Sequence, residues 1–169
     1  MIPKAEERGR TNLILVGMPG CGKSTVGREL AHRLGRPLAD TDDLMLERIG
    51  CGIQEYYRRV GEEQFRRLER EILAEVLEQD GLVVSPGGGI VILPENRELM
   101  RRRGTVIFLH RPPEELPSAG RAVTAGGLEE LYRRRRPLYE KVADLTVENR
   151  QADEAAEEIL VRLHLNELA

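Results

Sequence analysis

Short apolar runs alternate with helical patterns along most of this sequence. The runs are rich in aliphatic and β-branched residues, and they lie at 12–16, 82–85, 105–109 and 144–148, with a weaker run at 36–40. Strands that alternate with helices in this way predict a parallel sheet covered by helices. The expected fold class is therefore α/β. The length favours a single domain over residues 1–169 with its core at 12–165.

The longest helical signal is EEQFRRLEREILAEVLEQ at 62–79. Its apolar residues repeat every three or four positions while Arg and Glu fill the other faces, so one stripe should pack on the sheet. That stripe contains Phe65, Leu68, Ile72, Val76 and Leu77. A final helix is predicted at 153–168, opening on Asp153 and Glu154 at the positive end of its dipole. It presents Ile159, Leu160, Leu163 and Leu168.

The overall composition is typical of a globular domain, with 40% hydrophobic and 33% charged residues. Aromatic residues make up only 4% and Trp is absent, which argues against a stacking platform for single-stranded nucleic acid. The formal net charge of −3 argues against a chain that binds polyanions as a whole. We expect no nucleic-acid partner.

The cysteines, the N-terminal stretch and the apolar runs indicate the cellular setting. Cys21 and Cys51 make neither a disulfide framework nor a zinc spacing. The stretch MIPKAEERGR lacks the apolar core of a signal peptide, and no apolar run approaches the ~18 residues that a membrane span needs. The expected setting is the cytoplasm, without a membrane partner.

The stretch GMPGCGKST at 17–25 fits the pattern G-x-x-x-x-G-K-[ST]. It follows the first predicted strand and precedes a helical pattern, which is the context that a phosphate-binding loop requires. In that context the loop amides and Lys23 bind phosphates, and the Ser24 hydroxyl is a Mg²⁺ ligand. The alternative is a glycine-rich turn that binds nothing. The candidate nucleotide-binding residues are Gly20, Cys21, Gly22, Lys23, Ser24 and Thr25.

Further polar motifs follow the other predicted strands, on the same side as this loop. ADTDD offers Asp40 and Asp42 after the second strand, and SPGGGIV gives a bare backbone at 87–89 after the third. Ligands bind at this edge of open α/β sheets. Two more motifs lie on predicted helices: GEEQFRRLE contains Arg66, and YRRRRPLYEKVAD contains Arg135.

Each motif also has a structural interpretation. The Asp pair can be a helix N-cap, and the three glycines can be a plain turn. Arg66 and Arg67 can belong to a solvated helix face, and only one of the two is expected to point inward. The four arginines at 133–136 can also form a solvated helix face.

Taken together, the five ordered motifs resemble those of the shikimate kinases, a branch of the P-loop kinases, over about residues 13–163. The resemblance implies a three-layer α/β/α P-loop NTPase fold with a central five-stranded parallel sheet and a mobile lid. It also implies transfer of the γ-phosphate of ATP, with Mg²⁺, to the 3-hydroxyl of shikimate in aromatic amino-acid synthesis. The substrate-binding helical region would lie at about 42–79, and the resemblance suggests a monomer.

The resemblance also implies a role for each matched residue. Arg66 and Arg135 match the carboxylate-binding arginines, and Asp42 matches the residue that binds the ring hydroxyls and takes the proton of the attacking one. Asp40 looks like the carboxylate of the Mg²⁺ shell. Gly87, Gly88 and Gly89 would bring main-chain N–H groups to the substrate.

The lid is the weak part of the match. Residues 110–127 contain three prolines and three glycines, which argues against a regular element, and the stretch is several residues shorter than is usual in the family. Arg121 is the candidate lid arginine. It is counted among the nucleotide-binding residues and is the third catalytic residue beside Lys23 and Asp42. Two alternatives stay open: a non-catalytic ligand sensor on the same scaffold, and a P-loop kinase for another small hydroxy acid or a nucleotide.

Overall fold

A five-stranded parallel sheet forms the centre of the molecule. The computed structural model describes residues 12–117 and 127–165. The strands are β1 (Asn12–Val16), β2 (Leu38–Asp40), β3 (Val83–Ser85), β4 (Gly104–His110) and β5 (Leu145–Glu148). Their order in the sheet is β2-β3-β1-β4-β5, and every neighbouring pair is parallel.

Seven helices cover the sheet in the described part of the chain. They are α1 (Lys23–Leu34), α2 (Thr41–Ile49), α3 (Ile53–Val60), α4 (Glu62–Val76), α5 (Pro94–Arg103), α6 (Gly127–Val142) and α7 (Ala152–Arg162). Helices α1 and α7 contact each other, and α4, α5 and α6 form a second contiguous group. The expected three-layer α/β/α architecture is confirmed.

The core follows from the position of each strand. All five residues of the central strand β1 are buried, as expected for a parallel strand covered on both faces. The edge strand β2 is only half-buried, which explains its weaker hydrophobic signal. Each strand lies within two residues of its predicted limits.

The helices depart from the predictions at their ends. Helix α4 ends at Val76 rather than at 79, and its buried stripe includes Leu73 and Glu69, whereas Leu68 is only partly buried. Helix α7 ends at Arg162, with Ile159, Leu160 and Leu163 buried as predicted. Leu168 lies outside the described residues.

In the segment predicted to be irregular, 110–127, the described residues include a short 3₁₀ turn at Pro113–Glu115, and the two end residues belong to β4 and α6. Residues 118–126, which include Arg121, lie outside the described part. Among the described residues, no helix is both long and apolar enough to cross a membrane.

Because all five strands run in the same direction, their carboxyl ends meet at one edge of the sheet. Gly17 follows β1, Asp40 ends β2, and Ser85 ends β3 at that edge. His110 is the last residue of β4, and Asn149 directly follows β5. The phosphate loop, the Asp pair and the glycine loop predicted from the sequence therefore lie at the same end of the domain.

Candidate active site

A cavity of about 1250 Å³ opens at the carboxyl edge of the sheet. Its walls come from the loop after β1, the end of β2, the glycine loop after β3, and helices α3, α4 and α6. This volume exceeds the 300–1,000 Å³ typical of a site for one small ligand. The cleft has room for two ligands side by side.

The loop between β1 and α1 has the backbone of an anion cradle. Gly20 and Gly22 have φ angles of +83° and +96°, which residues with a Cβ rarely adopt. Gly22 is also the N-cap of α1, and no side chain of the described residues caps that helix end. The first N–H groups of α1 therefore remain free of a side-chain acceptor at the positive end of the helix dipole.

Lys23 lies along the inner side of this loop. Its side chain is buried, and Nζ donates hydrogen bonds to the carbonyl oxygens of Gly17 at 2.8 Å and Met18 at 3.0 Å. The ammonium group is thus held beside the cradle by weak neutral acceptors. A phosphate oxygen is a stronger acceptor for a cation than a neutral carbonyl is.

Ser24 and Asp40 meet where the loop faces the end of β2. The Ser24 hydroxyl donates to Oδ2 of Asp40 at 2.7 Å. The other carboxylate oxygen accepts from the N–H groups of Asp42 at 3.0 Å and Asp43 at 3.3 Å, so Asp40 is the N-cap of α2. One carboxylate therefore caps a helix and also presents an oxygen to the phosphate loop.

The hydroxyl and carboxylate oxygens of this pair are the donor types that Mg²⁺ prefers. In the described ranges there is no group of three or more His, Cys, Asp or Glu residues that could hold a metal. Two protein oxygens suit an ion that keeps several waters and is bound largely by substrate phosphates. The residues present therefore fit Mg²⁺ in this role.

The opposite wall of the cleft contains a buried ion pair. Nη1 of Arg66 lies 2.9 Å from Oε1 of Glu69, and the two side chains are 12% and 5% exposed. Burial raises the pKa of the Glu69 carboxyl, and the Arg66 guanidinium partly opposes that shift. Nε of Arg66 is buried and makes no hydrogen bond in the described structure. Oε1 of Glu62 lies 3.9 Å from this Nε, beyond hydrogen-bond distance.

The glycine loop packs closely against its neighbours. A Cβ on Gly88 would lie 2.7 Å from Cδ of Pro19, and one on Gly89 would overlap the Arg66 guanidinium. A Cβ on Gly87 would come within 3.0 Å of Oδ1 of Asp42. These close approaches show that the glycine loop, the phosphate loop and the Asp42 and Arg66 side chains converge on one space.

Helix α6 closes the cleft with Arg135, which is half-buried and lines the cavity. Its charge acts on the pKa of both Glu69 and Tyr139, so it lies near the Arg66 pair. One turn further along the helix, the fully buried Tyr139 hydroxyl donates to the carbonyl oxygen of Gly88 at 2.6 Å.

Most of the residues named from the sequence line this single cleft: Gly20, Gly22, Lys23, Ser24, Thr25, Asp40, Asp42, Arg66, Gly87, Gly88, Gly89 and Arg135. Cys21 does not line it, because its side chain is fully buried beside Gly17 and Lys23. Cys21 can therefore contact a ligand only through its backbone. Arg67 is exposed and pairs with Glu63, so only Arg66 of that pair points inward.

Three residues at the site were missed by the sequence reasoning. Glu69 and Tyr139 are the last letters of the motifs GEEQFRRLE and RRPLY, so their signals were present. Asn149, whose Nδ2 donates to the carbonyl oxygen of Cys21 at 2.6 Å, belongs to no motif. It was marked only by its position after β5.

Comparisons with known proteins agree with this geometry. The family model for shikimate kinase matches residues 19–164. A shikimate kinase from Cupriavidus pinatubonensis is 41% identical over 152 residues, which cover 84% of this chain and 79% of that protein. A shikimate kinase from Neisseria gonorrhoeae is 38% identical over 161 residues, covering 89% and 95% respectively. The solved structure of Acinetobacter baumannii shikimate kinase in complex with shikimate superimposes with a TM-score of 0.88 at 33% identity, covering 98% of this chain and all of that one.

Proposed function

This chain belongs to the shikimate kinase family, and on that premise we propose how its cleft transfers the γ-phosphate of ATP to the 3-hydroxyl of shikimate. One observation carries the proposal. The loop bearing Lys23 and the pocket bearing Asp42, Arg66 and Arg135 line the same cavity. A phosphate donor and a small hydroxylated acid would therefore meet inside one cleft, which phosphoryl transfer requires.

The nucleotide binds on the phosphate-loop side. The N–H groups of Gly20 to Thr25 surround the terminal phosphates, and Lys23 exchanges the Gly17 and Met18 carbonyls for phosphate oxygens. Its charge then lies where negative charge spreads over the transferring group. Ser24 and Asp40 would hold Mg²⁺. The ion neutralises charge on the phosphates when it is bound.

Shikimate binds on the other side through its carboxylate and hydroxyls. Glu69 occupies Nη1 of Arg66, and Nε makes no hydrogen bond in the described structure, with Glu62 3.9 Å away. Nε and Nη2 would therefore face the substrate carboxylate in a bidentate arrangement. Arg135 approaches the same carboxylate from α6. Asp42 accepts hydrogen bonds from the ring hydroxyls, and the glycine-loop N–H groups donate to the substrate.

The reaction forms one bond and breaks another. The 3-hydroxyl oxygen attacks the γ-phosphorus while the bridging oxygen of ADP leaves, and the hydroxyl proton passes to Asp42. Because the transition state is loose, Asp42 acts more by orienting the hydroxyl than as a strong base. Arg121, from the shortened lid at 110–127, would reach the transferred phosphate when the lid closes over the cleft.

The wider organisation follows the same proposal. Residues 42–79 form the substrate-binding helical region of a single domain, and the chain acts as a cytoplasmic monomer without nucleic-acid or membrane partners.

The deciding experiment measures ADP release with ATP over a panel of shikimate, quinate, gluconate and nucleoside monophosphates. Release with shikimate alone supports the proposal. If shikimate binds but no acceptor in the panel causes ADP release, the proposal is contradicted and a ligand sensor is favoured.

A further inference from the structure

Both ligand-binding loops present N–H groups without a partner in the described structure. No hydrogen bond from the N–H of Gly22 in the phosphate loop, or of Gly89 in the glycine loop, is found within residues 12–117 and 127–165. Both residues line the cleft. In each loop, the carbonyl oxygen of the same peptide bond is held from behind by a buried side chain.

In the glycine loop that side chain is Tyr139. Its hydroxyl donates to the Gly88 carbonyl oxygen at 2.6 Å, and its ring is stacked on Phe108 with the centroids 5.1 Å apart. Burial raises the pKa of Tyr139, so the hydroxyl remains a donor at neutral pH. A trans peptide group is planar, with C=O and N–H pointing in opposite directions. A fixed Gly88 carbonyl therefore fixes the direction of the Gly89 N–H.

In the phosphate loop the same geometry is built with Asn149. Its Nδ2 donates to the Cys21 carbonyl oxygen at 2.6 Å, and a Cβ on Gly22 would overlap this Nδ2. The backbone of Asn149 is itself fixed, because its N–H donates to the carbonyl oxygen of His110 at 2.9 Å. Asn149 is 7% exposed. The Cys21 carbonyl is thus held from behind by the residue that follows β5, and the Gly22 N–H points the opposite way.

We propose that Tyr139 and Asn149 are positioning residues that aim one amide each: Tyr139 aims the Gly89 N–H at shikimate, and Asn149 aims the Gly22 N–H at the nucleotide phosphates. The identity of the two ligands rests on the proposed function. The short contacts join different elements to different loops, α6 to the glycine loop and the end of β5 to the phosphate loop. Tyr139 reaches the phosphate loop only through a weak contact of its hydroxyl with Sδ of Met18 at 3.9 Å. The effects of Tyr139 and Asn149 on the two substrates should therefore separate.

Tyr139→Phe and Asn149→Leu test this separation, since each removes a hydrogen bond and keeps nearly the same shape. A hydrogen bond contributes about 0.5–1.5 kcal/mol, so each variant should raise one KM by about two- to tenfold. Tyr139→Phe should raise KM for shikimate alone, and Asn149→Leu should raise KM for ATP alone. Tyr132→Phe is the matched control, because it removes a hydroxyl from the same helix that bonds to His110 instead of a ligand loop.

Opposite selectivity in the two variants, with an unchanged Tyr132→Phe enzyme, supports the proposal. Unchanged KM values in folded variants, or an equal rise of both KM values in one variant, would overturn it. If Asn149→Leu does not fold, Asn149→Ala takes its place. A wild-type chain that turns over no shikimate would refute the proposed function instead, and ATP binding measured by calorimetry would still test the role of Asn149.

Discussion

Replacing Gly89 by alanine should weaken shikimate binding while leaving the fold intact. A Cβ at this position would overlap Nη1 of Arg66 and lie 2.8 Å from both Cζ and Nη2 of that side chain. Non-bonded heavy atoms in contact lie about 3.5–4.0 Å apart, so the guanidinium must move by about 1 Å. The φ angle of Gly89 is not in the left-handed region, so the alanine adds no backbone strain.

The size of the effect follows from what is displaced. The atoms in the way are the guanidinium end of the Arg66 side chain, which moves more easily than backbone does. The alanine should therefore displace the guanidinium rather than destabilise the fold. A displacement of about 1 Å at a positioning group can cost about 10²-fold in rate. We expect kcat/KM for shikimate to fall by about 10- to 100-fold, or about 1.4–2.7 kcal/mol of transition-state stabilisation. Most of it should appear in KM.

The assay couples ADP release to a spectroscopic readout, with shikimate varied at saturating ATP and then ATP varied at saturating shikimate. Gly52→Ala is the control, because Gly52 has a φ of −63° and a Cβ there meets no atom of residues 12–117 and 127–165 within 4 Å. An unchanged KM for shikimate in a folded Gly89→Ala variant would refute the placement of Arg66 against the substrate. An equal loss toward ATP would show that the alanine disturbs the whole cleft.

Three further substitutions test other parts of the site. Lys23→Ala should lower kcat by ~10³-fold, because it removes a charge whose stabilisation grows in the transition state; single-turnover kinetics would show whether phosphoryl transfer itself is slowed. Arg135→Ala should mainly raise KM for shikimate, and an unchanged KM would remove its assignment to the carboxylate. Glu69→Gln should change the pH dependence of stability. The pKa of Glu69 is raised by burial above its ordinary value of 4.5, so the free energy of unfolding of the wild type should fall relative to that of the variant as pH rises above about 4.5. Urea denaturation between pH 4 and pH 8 would detect this, and parallel curves for the two proteins would contradict it.

The fold was largely predictable because its strands are short and buried. A parallel strand covered on both faces is a continuous apolar run, and β1, β3 and β4 gave such runs. The region 42–79 was anticipated only as helical, whereas the structure divides it into three helices. The breaks fall at Gly50 and Gly61, which have positive φ angles and cap α2 and α3. A lone glycine is also tolerated inside a helix, so these two residues alone do not separate one interrupted helix from three.

The candidate site was predictable only as far as its motifs extend. The phosphate loop, the Asp pair and the glycine loop are local patterns whose chemistry depends on residues close in sequence. The contacts of Tyr139 with Gly88 and of Asn149 with Cys21 join residues 51 and 128 positions apart. No local pattern encodes such a pairing. It arises from the order of strands in the sheet, which places β5 and α6 behind loops that belong to β1 and β3.

The Arg66–Glu69 pair indicates why this cleft is built at some cost in stability. A buried ion pair loses much of its attraction to the desolvation of both charges, and apolar residues of similar volume often stabilise a protein as well or better. The raised pKa of Glu69 shows that this desolvation outweighs the attraction of Arg66 at that carboxyl. Stability alone therefore does not explain a carboxylate on the buried stripe of α4. Its geometry does, because Glu69 occupies Nη1 of Arg66, whereas Nε makes no hydrogen bond in the described structure and only faces Glu62 at 3.9 Å. On the proposed function, the pair would fix which edge of the guanidinium meets the carboxylate of shikimate.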